Sequence, residues 1–433
     1  MDDRRVLVVG TTPDYIEHLT RALPGRLLFL TDPADLAGGG RAGKVPDAPG
    51  EEDPDVLHVV FPLGRPARAI ERLDGFLAES GVGIEGVACF DCGSLVLAAL
   101  IAERKGLPFA SPEAVRNCRD KYRSKSLWRD AGVPCPRAVS AVSAGEALSF
   151  FRSTGGEVML KPATLSGSEL AFRCSSGEQV THAYDVISSA LQGMAGDPLR
   201  DRDGLVRAGV LCEEFIEGDE YSCDFLLSGG ELRLIRIARK SIANGGPAGT
   251  AMAYEVPART LPIPIEEFTG LLGRAARSLG LDRCMGMADL IVRGSAPLFL
   301  EMTPRPGGDC LPDLILASSG MDMLATHIDF AGGSPVRIPD AKEWRHLAAL
   351  RVHSRSSGIL HRLGLDRTGL GLEIVEEKWI RRPGDRIELP PGDHDSWLLG
   401  HLIFAPSGEG RTAADLRLLR DAVGVEVEEE RHG

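Results

Sequence analysis

No apolar stretch in this chain of 433 residues is longer than the run from Leu95 to Ala102. That is far short of the ~20 residues a membrane-crossing helix needs. Positive charge is scarce too: 49 Lys and Arg stand against 62 Asp and Glu, giving a formal net charge of −13. Such a balance argues against a nucleic-acid surface and leaves room only for a local basic pocket. The nine cysteines are odd in number and dispersed. Cys89 and Cys92 form one C-x-x-C, but no second pair follows at zinc-ligand spacing, so the thiols read as reduced and structural in a cytoplasmic protein. No secretory leader is expected, because Met1-Asp2-Asp3-Arg4-Arg5 runs straight into the apolar Val6-Leu7-Val8-Val9. No internal repeat is evident.

What is present is ordinary globular material, 43% hydrophobic and 26% charged, in a chain long enough for about two to four domains. Residues 4 to 112 alternate strand-like and helix-like segments, which predicts a parallel sheet flanked by helices. Asp32 to Asp55, rich in Gly, Pro and acid, reads as a mobile loop. Within it, Gly38-x4-Gly43-Lys44 approaches a phosphate-binding loop, but Val45 replaces the hydroxyl residue. Pro46 and Pro49 also forbid the helix that motif requires. From Ser111 onward the texture changes to a helix after Asp120 and strands at 157–161, 170–174, 210–216, 221–227 and 231–240. A helix over 265–279 and strands over 286–293 and 297–302 follow. Residues 345 to 433 read as short strands and turns with one helix over 413–422.

Four local features carry chemistry. Lys161 ends the strand Glu157-Val-Met-Leu-Lys161, and Ser166-Gly167-Ser168 follows; a small-residue turn lets backbone amides approach a polyphosphate while a lysine supplies charge. Residues 212 to 225, CEEFIEGDEYSCDF, set acids around Phe215-Ile216 and the Gly218 turn, a composition suited to an adenosine pocket. Asp289 and Glu301 lie on two strands joined through Gly294-Ser295-Ala296, so both carboxylates can share one face. Such a pair repels unless a cation sits between them, and hard oxygen ligands with phosphate select Mg²⁺. Lys121 opens a helix. Taken singly, each has a plainer reading: a hairpin, a solvated acidic turn, a strand-edge pair, a solvated helix face.

Their order resembles the ATP-grasp superfamily, specifically its carboxylate–amine ligases and, within these, bacterial L-amino-acid ligases. Asp120-Lys121 with Ala131-Gly-Val-Pro-Cys-Pro136 matches the opening of the nucleotide lobe. Lys161-Pro162 with Ser166-Gly167-Ser168 matches the flap strand, and Glu213-Glu214-Phe215-Ile216-Glu217-Gly218-Asp219-Glu220 matches the hinge. Glu301, Arg305, Gly307 and Gly308 match the metal strand. Two positions depart from the family: the flap is acidic at Glu169 where a base is usual, and Thr303 stands where an Asn is usual. A weaker likeness to the ligases' C-terminal lid covers residues from about 346 onward.

The resemblance implies an α/β ATP-grasp fold, with a Rossmann-like domain over 1–112, ATP-grasp lobes over 113–210 and 211–345, and a lid over 346–433. It implies ATP with Mg²⁺ or Mn²⁺, a carboxylate substrate and an amine substrate, no nucleic acid or membrane partner, and a homodimer as the assembly to test. By the same match, Lys121 and Lys161 contact phosphates with the flap Ser166-Gly167-Ser168. Glu213, Glu214, Phe215 and Ile216 hold adenine, Glu220 holds the ribose, and Asp289, Glu301 and Thr303 hold the metal. Arg305 holds the substrate carboxylate or its acyl phosphate, so Lys161 and Arg305 are the catalytic candidates. The flap and the loop Asn244–Thr250 would close over the site. The implied activity is amide or peptide bond formation. A purine-biosynthesis enzyme of the same fold and a non-catalytic ATP-binding module are the alternatives.

Overall fold

Alternating apolar strands and helices in the N-terminal part give a four-stranded sheet with parallel pairings throughout. Its strands are β1 (Arg4–Val9), β2 (Leu27–Thr31), β3 (Leu57–Val60) and β4 (Gly83–Ala88), ordered β3-β2-β1-β4. The order reverses between β1 and β4, so the crevice beyond their carboxyl ends is where an open α/β sheet receives ligands. After β4, helix Leu95–Lys105 is buried at nearly every position of its apolar run, the packing expected of a helix without a polar face. The computed structural model describes residues 4–38, 56–197, 201–206, 209–242, 248–258 and 261–428. Of the segment expected to be a loop, Pro33–Gly38 is helical, started by a proline. The rest of that segment, Gly43 and Lys44 included, lies outside the described residues, as does much of Asn244–Thr250.

A second sheet, ordered β5-β8-β6-β7, contains β5 (Ala138–Ala141), β6 (Val158–Pro162), β7 (Phe172–Cys174) and β8 (Val210–Glu214). Helices Ala144–Thr154 and Gly177–Met194 back it and close a core of its own around Val158, Leu160, Val180 and Ile187. The strand expected over 210–216 stops at Glu214, leaving Phe215 to Gly218 as a connector. Gly218 is required there: a Cβ would lie 2.5 Å from the Val292 carbonyl oxygen.

The largest sheet has eight strands. Five come before residue 304: β9 (Asp219–Ser228), β10 (Glu231–Ile242), β11 (Ala251–Val256), β12 (Cys284–Arg293) and β13 (Ala296–Thr303). The remainder of the chain supplies β14 (Leu347–His353), β15 (Gly358–Leu365), β16 (Glu373–Trp379), β17 (Arg386–Ile387), β18 (Leu398–Ala405) and β19 (Val423–Glu428). The eight-stranded order is β13-β12-β9-β10-β11-β14-β18-β16, while β17-β15-β19 form a separate small sheet. The division expected near 345 therefore falls within one continuous sheet, because β11 and β14 are hydrogen-bonded antiparallel neighbours.

The main core joins the N-terminal helices to the large sheet. Trp128 is fully buried, with its indole N–H donated to the Ala275 carbonyl at 3.1 Å, and its ring lies 5.9 Å from Phe299. A second anchor is ionic. Arg236 and Asp224, wholly buried, pair at 2.6 Å, and the other Asp224 oxygen accepts the Gly307 N–H at 2.8 Å. This pair fixes the turn that follows β13.

Candidate active site

The β12–β13 hairpin brings the two acids side by side. β12 and β13 pair antiparallel with Asp289 opposite Glu301, so both carboxylates stand on one face. Asp289 Oδ1 is buried with no hydrogen-bond partner, an orphan acceptor that calls for a cation. Thr303, two residues beyond Glu301, also has a buried and unpartnered Oγ1, and it faces the same cavity as Asp289 and Glu301. Oxygen donors of these kinds fit a hard divalent ion.

Four lysines face these acids. Asp120 caps helix Lys121–Asp130 by accepting the Tyr122 and Arg123 amides, which sets Lys121 at the first turn. Lys121 Nζ lies 3.4 Å from Glu301 Oε2 and also donates to the Leu165 carbonyl of the flap. One helical turn on, Lys125 reaches Glu213 Oε2 at 2.9 Å and the Leu300 carbonyl at 2.7 Å. Lys161, at the end of β6, pairs with the other Glu213 oxygen. Lys240, on β10, sits 3.1 Å from Asp289 Oδ2 and 3.7 Å from Glu220 Oε2.

The pKa directions follow from these neighbours. Burial pushes the Glu213 carboxyl up, but Lys125 and Lys161 outweigh it and hold it at about 2. Burial alone would also raise Glu301; Lys121, Lys161 and Lys240 instead hold it at about 2. Asp289 is raised, first by burial, with the Glu301 charge adding to it against the pull of Lys240. Burial lowers Lys121 and Lys125, while Lys161 and Lys240 finish raised because their carboxylates overcome the cost of burial.

The sequence assigned Glu213 to adenine, yet both its oxygens are taken by lysines. Its position makes it the post that orients Lys125 and Lys161. Glu214 is turned aside as well, toward Arg137 at 2.8 Å. The apolar part of the cleft is formed by Phe215 and Ile216 with Met159, Ile291 and Leu300, and the Arg173 guanidinium lies 3.9 Å over the Phe215 ring. Glu220 lines the same cleft of about 420 Å³, as do Ser166, Gly167 and Ser168. The flap backbone is unusual: Ser168 and Leu170 have φ of 62° and 53°, a conformation costly for residues with a Cβ.

A second cavity of about 370 Å³ adjoins the first, and both are lined by Lys121, Ser166, Ser168, Lys240, Asp289 and Glu301. Arg305 faces this second cavity, donating its Nε to Cys92 Sγ at 3.0 Å and an Nη to the Pro306 carbonyl at 2.8 Å. Arg351, from β14, enters it too, held by Asp309 at 2.7 Å. Sequence reasoning missed Lys125, Lys240, Arg351 and Cys92. Lys125 had a local signal for the site, its i+4 spacing from Lys121, while Cys92 stood out only as half of a C-x-x-C read as structural.

A sheet-borne carboxylate pair beneath a small-residue flap, with lysines from three elements, is the arrangement of an ATP-grasp fold. Residues 155–313 match the family model for an ATP-grasp domain, and the chain resembles the superfamily's carboxylate–amine ligases. The crystal structure of an L-amino acid ligase from Bacillus licheniformis superposes with a TM-score of 0.74, covering 99% of this chain and 100% of that one at 18% identity. Human carnosine synthase 1 is 26% identical over 378 residues, 80% of this chain and 42% of its own length. The Sinorhizobium fredii protein y4rH is 24% identical over 333 residues, 75% of this chain and 64% of its own. The chain thus spans less than two thirds of the length of either relative.

Proposed function

We propose that this protein is an ATP-dependent carboxylate–amine ligase acting on amino acids or small peptides, forming an amide bond through an acyl phosphate. The observation that carries this reading is the junction of the two cavities at Asp289 and Glu301. A nucleotide in the first cleft would present its γ-phosphate to a carboxylate in the second. A carboxylate oxygen attacks the γ-phosphorus, and the bond to the bridging oxygen breaks to leave ADP. The amine nitrogen then attacks the acyl carbon, phosphate departs with the electron pair, and the nitrogen loses its proton.

No nucleophilic side chain is needed, because positioning and charge complementarity lower the barrier. Lys121 and Lys161 contact the phosphates, while Glu213, itself paired with Lys125, holds Lys161 in place. Asp289, Glu301 and Thr303 would hold Mg²⁺, which supplies charge neutralisation on the phosphates. Arg305 grips the substrate carboxylate or the acyl phosphate. The flap shields the acyl phosphate from water. The four lysines match Glu213, Glu220, Asp289 and Glu301 in number, so an ATP anion arriving with its divalent cations would leave that balance undisturbed.

The test is phosphate release over pairs of amino acids with ATP and Mg²⁺, followed by mass spectrometry. A coupled product of the expected mass supports the ligase. ATP binding without turnover on any pair assigns a nucleotide-binding module instead, the reading favoured by Thr303 and the acidic flap.

A further inference from the structure

Asp313, Glu376 and His401 converge from three elements at a place the reaction as described does not use. Asp313 lies in the first turn of helix Leu311–Ser319, Glu376 on β16 and His401 on β18. Each offers one ligand atom, and the three atoms lie within 4.8 Å of one another. His401 Nε2 stands 3.4 Å from Asp313 Oδ2 and 3.7 Å from Glu376 Oε1. It hydrogen-bonds to neither, although the His401 side chain is only 9% exposed. A buried ring nitrogen that faces two carboxylates without bonding them still needs a partner. A tetrahedral zinc ion sits about 2 Å from each ligand, which sets the ligands about 3.3 Å apart. The spacing around His401 is already close to that.

An imidazole beside two carboxylates favours zinc over Mg²⁺, which takes oxygen ligands and keeps several waters. Lys378 is the competitor. It stands opposite His401 in the β16–β18 pairing and contacts Asp313 Oδ2 at 2.7 Å. Its side chain is 38% exposed, however, and the exposed carboxylate of Asp14 lines the same cavity of about 460 Å³. The ammonium therefore has a second acid to turn to when it yields Asp313. Asp313 and His401 line this cavity as well, so the fourth position of a three-ligand ion would open into it.

We propose that Asp313, Glu376 and His401 form a zinc site distinct from the Asp289–Glu301 pair. The ion ties β16 and β18 to the helix that follows the Gly307-Gly308 turn, and Lys378 leaves Asp313 as it binds.

The experiment titrates zinc alone into the full chain in excess Mg²⁺, read by calorimetry and by thermal melting. The wild type takes up one zinc at this site and melts at a higher temperature with it. His401→Ala and Glu376→Gln each weaken that binding at least about tenfold, since losing a ligand costs no less than losing a group that orients one. Both also lose the melting shift. Lys378→Ala removes the competitor and binds zinc more tightly, while Asp289→Asn keeps the wild-type affinity. Circular dichroism confirms folding, and Glu376→Gln, on a half-exposed strand position, decides if His401→Ala does not fold. Absence of zinc uptake by the wild type overturns the site. Unchanged uptake by the folded ligand variants does so too, assigning the ion to the free thiols, and so does loss of uptake in Asp289→Asn alone, assigning it to the nucleotide cleft.

Discussion

At the scale of single residues, Glu213 illustrates how a buried charge can act entirely through its partners. Its carboxyl is held at about 2 against an ordinary 4.5, so its pairing stabilises the fold above pH 4.5, and that contribution is lost as pH falls toward 2. Glu213→Gln should therefore destabilise the protein by about 3 kcal/mol at pH 7, since two buried lysines lose their counter-charge. The gap from wild type should narrow as pH drops below 4.5. Urea unfolding at pH 7, 5 and 3.5 checks both statements; a gap independent of pH would mean the lysines are satisfied by other groups. Thr303 has a different task. Thr303→Val keeps the strand shape and removes the orphan oxygen, so it should raise the Mg²⁺ requirement and lower turnover, while Thr303→Asn is tolerated. A Mg²⁺ titration of activity decides, and identical curves for Val and Thr would remove this residue from the metal site. At Arg305, lysine should serve little better than alanine, because a point charge cannot grip a carboxylate through two parallel bonds. Coupled product should fall more than ATP affinity; an equal fall would move Arg305 to the nucleotide.

At the scale of elements, the turn after β13 is set by a collision that only glycine avoids. A Cβ at Gly307 would lie 2.8 Å from an Arg236 Nη in the buried pair, whereas at Gly308 the nearest neighbour, an Arg305 Nη, is 3.6 Å away. Gly307→Ala should cost about 1–3 kcal/mol of stability and most of the turnover, with Gly308→Ala close to wild type. Melting curves and phosphate release for the two variants make the comparison; equal effects would show that the buried pair does not govern the turn. The same elements show what a sequence can and cannot reveal. The Asp289–Glu301 pairing was legible because alternation and a short turn are local facts. The helix after Asp120 was legible as well, and it runs over Lys121–Asp130. Lys240 and Arg351 were not, because their place in the site depends on which strands become neighbours across the sheet, and no local pattern records that register. Glu213 was located, but its pairing with Lys125 and Lys161 left no local trace, since those lysines come from two other elements.

At the scale of the whole molecule, the sheet β5-β8-β6-β7 packs around a core separate from the main cluster, so that sheet and its flap are the part expected to close over a nucleotide. Adding ATP and Mg²⁺ should slow amide exchange across 163–171 while leaving β12 and β13 unchanged. Hydrogen–deuterium exchange read by mass spectrometry tests this, and uniform protection across both regions would point to global stabilisation rather than closure.

The unbroken eight-stranded sheet has a bearing on how this chain can be cut. Anyone trimming it to a minimal nucleotide-binding unit at residue 345 would strip β14 from β11 and leave a row of unpaired amides and carbonyls on an apolar strand. Such an edge recruits other chains. The shortened protein should emerge as aggregate, whereas a cut that spares β14, β18 and β16 retains the covered edge: the boundary suggested by motif and the boundary tolerated by the backbone are different places.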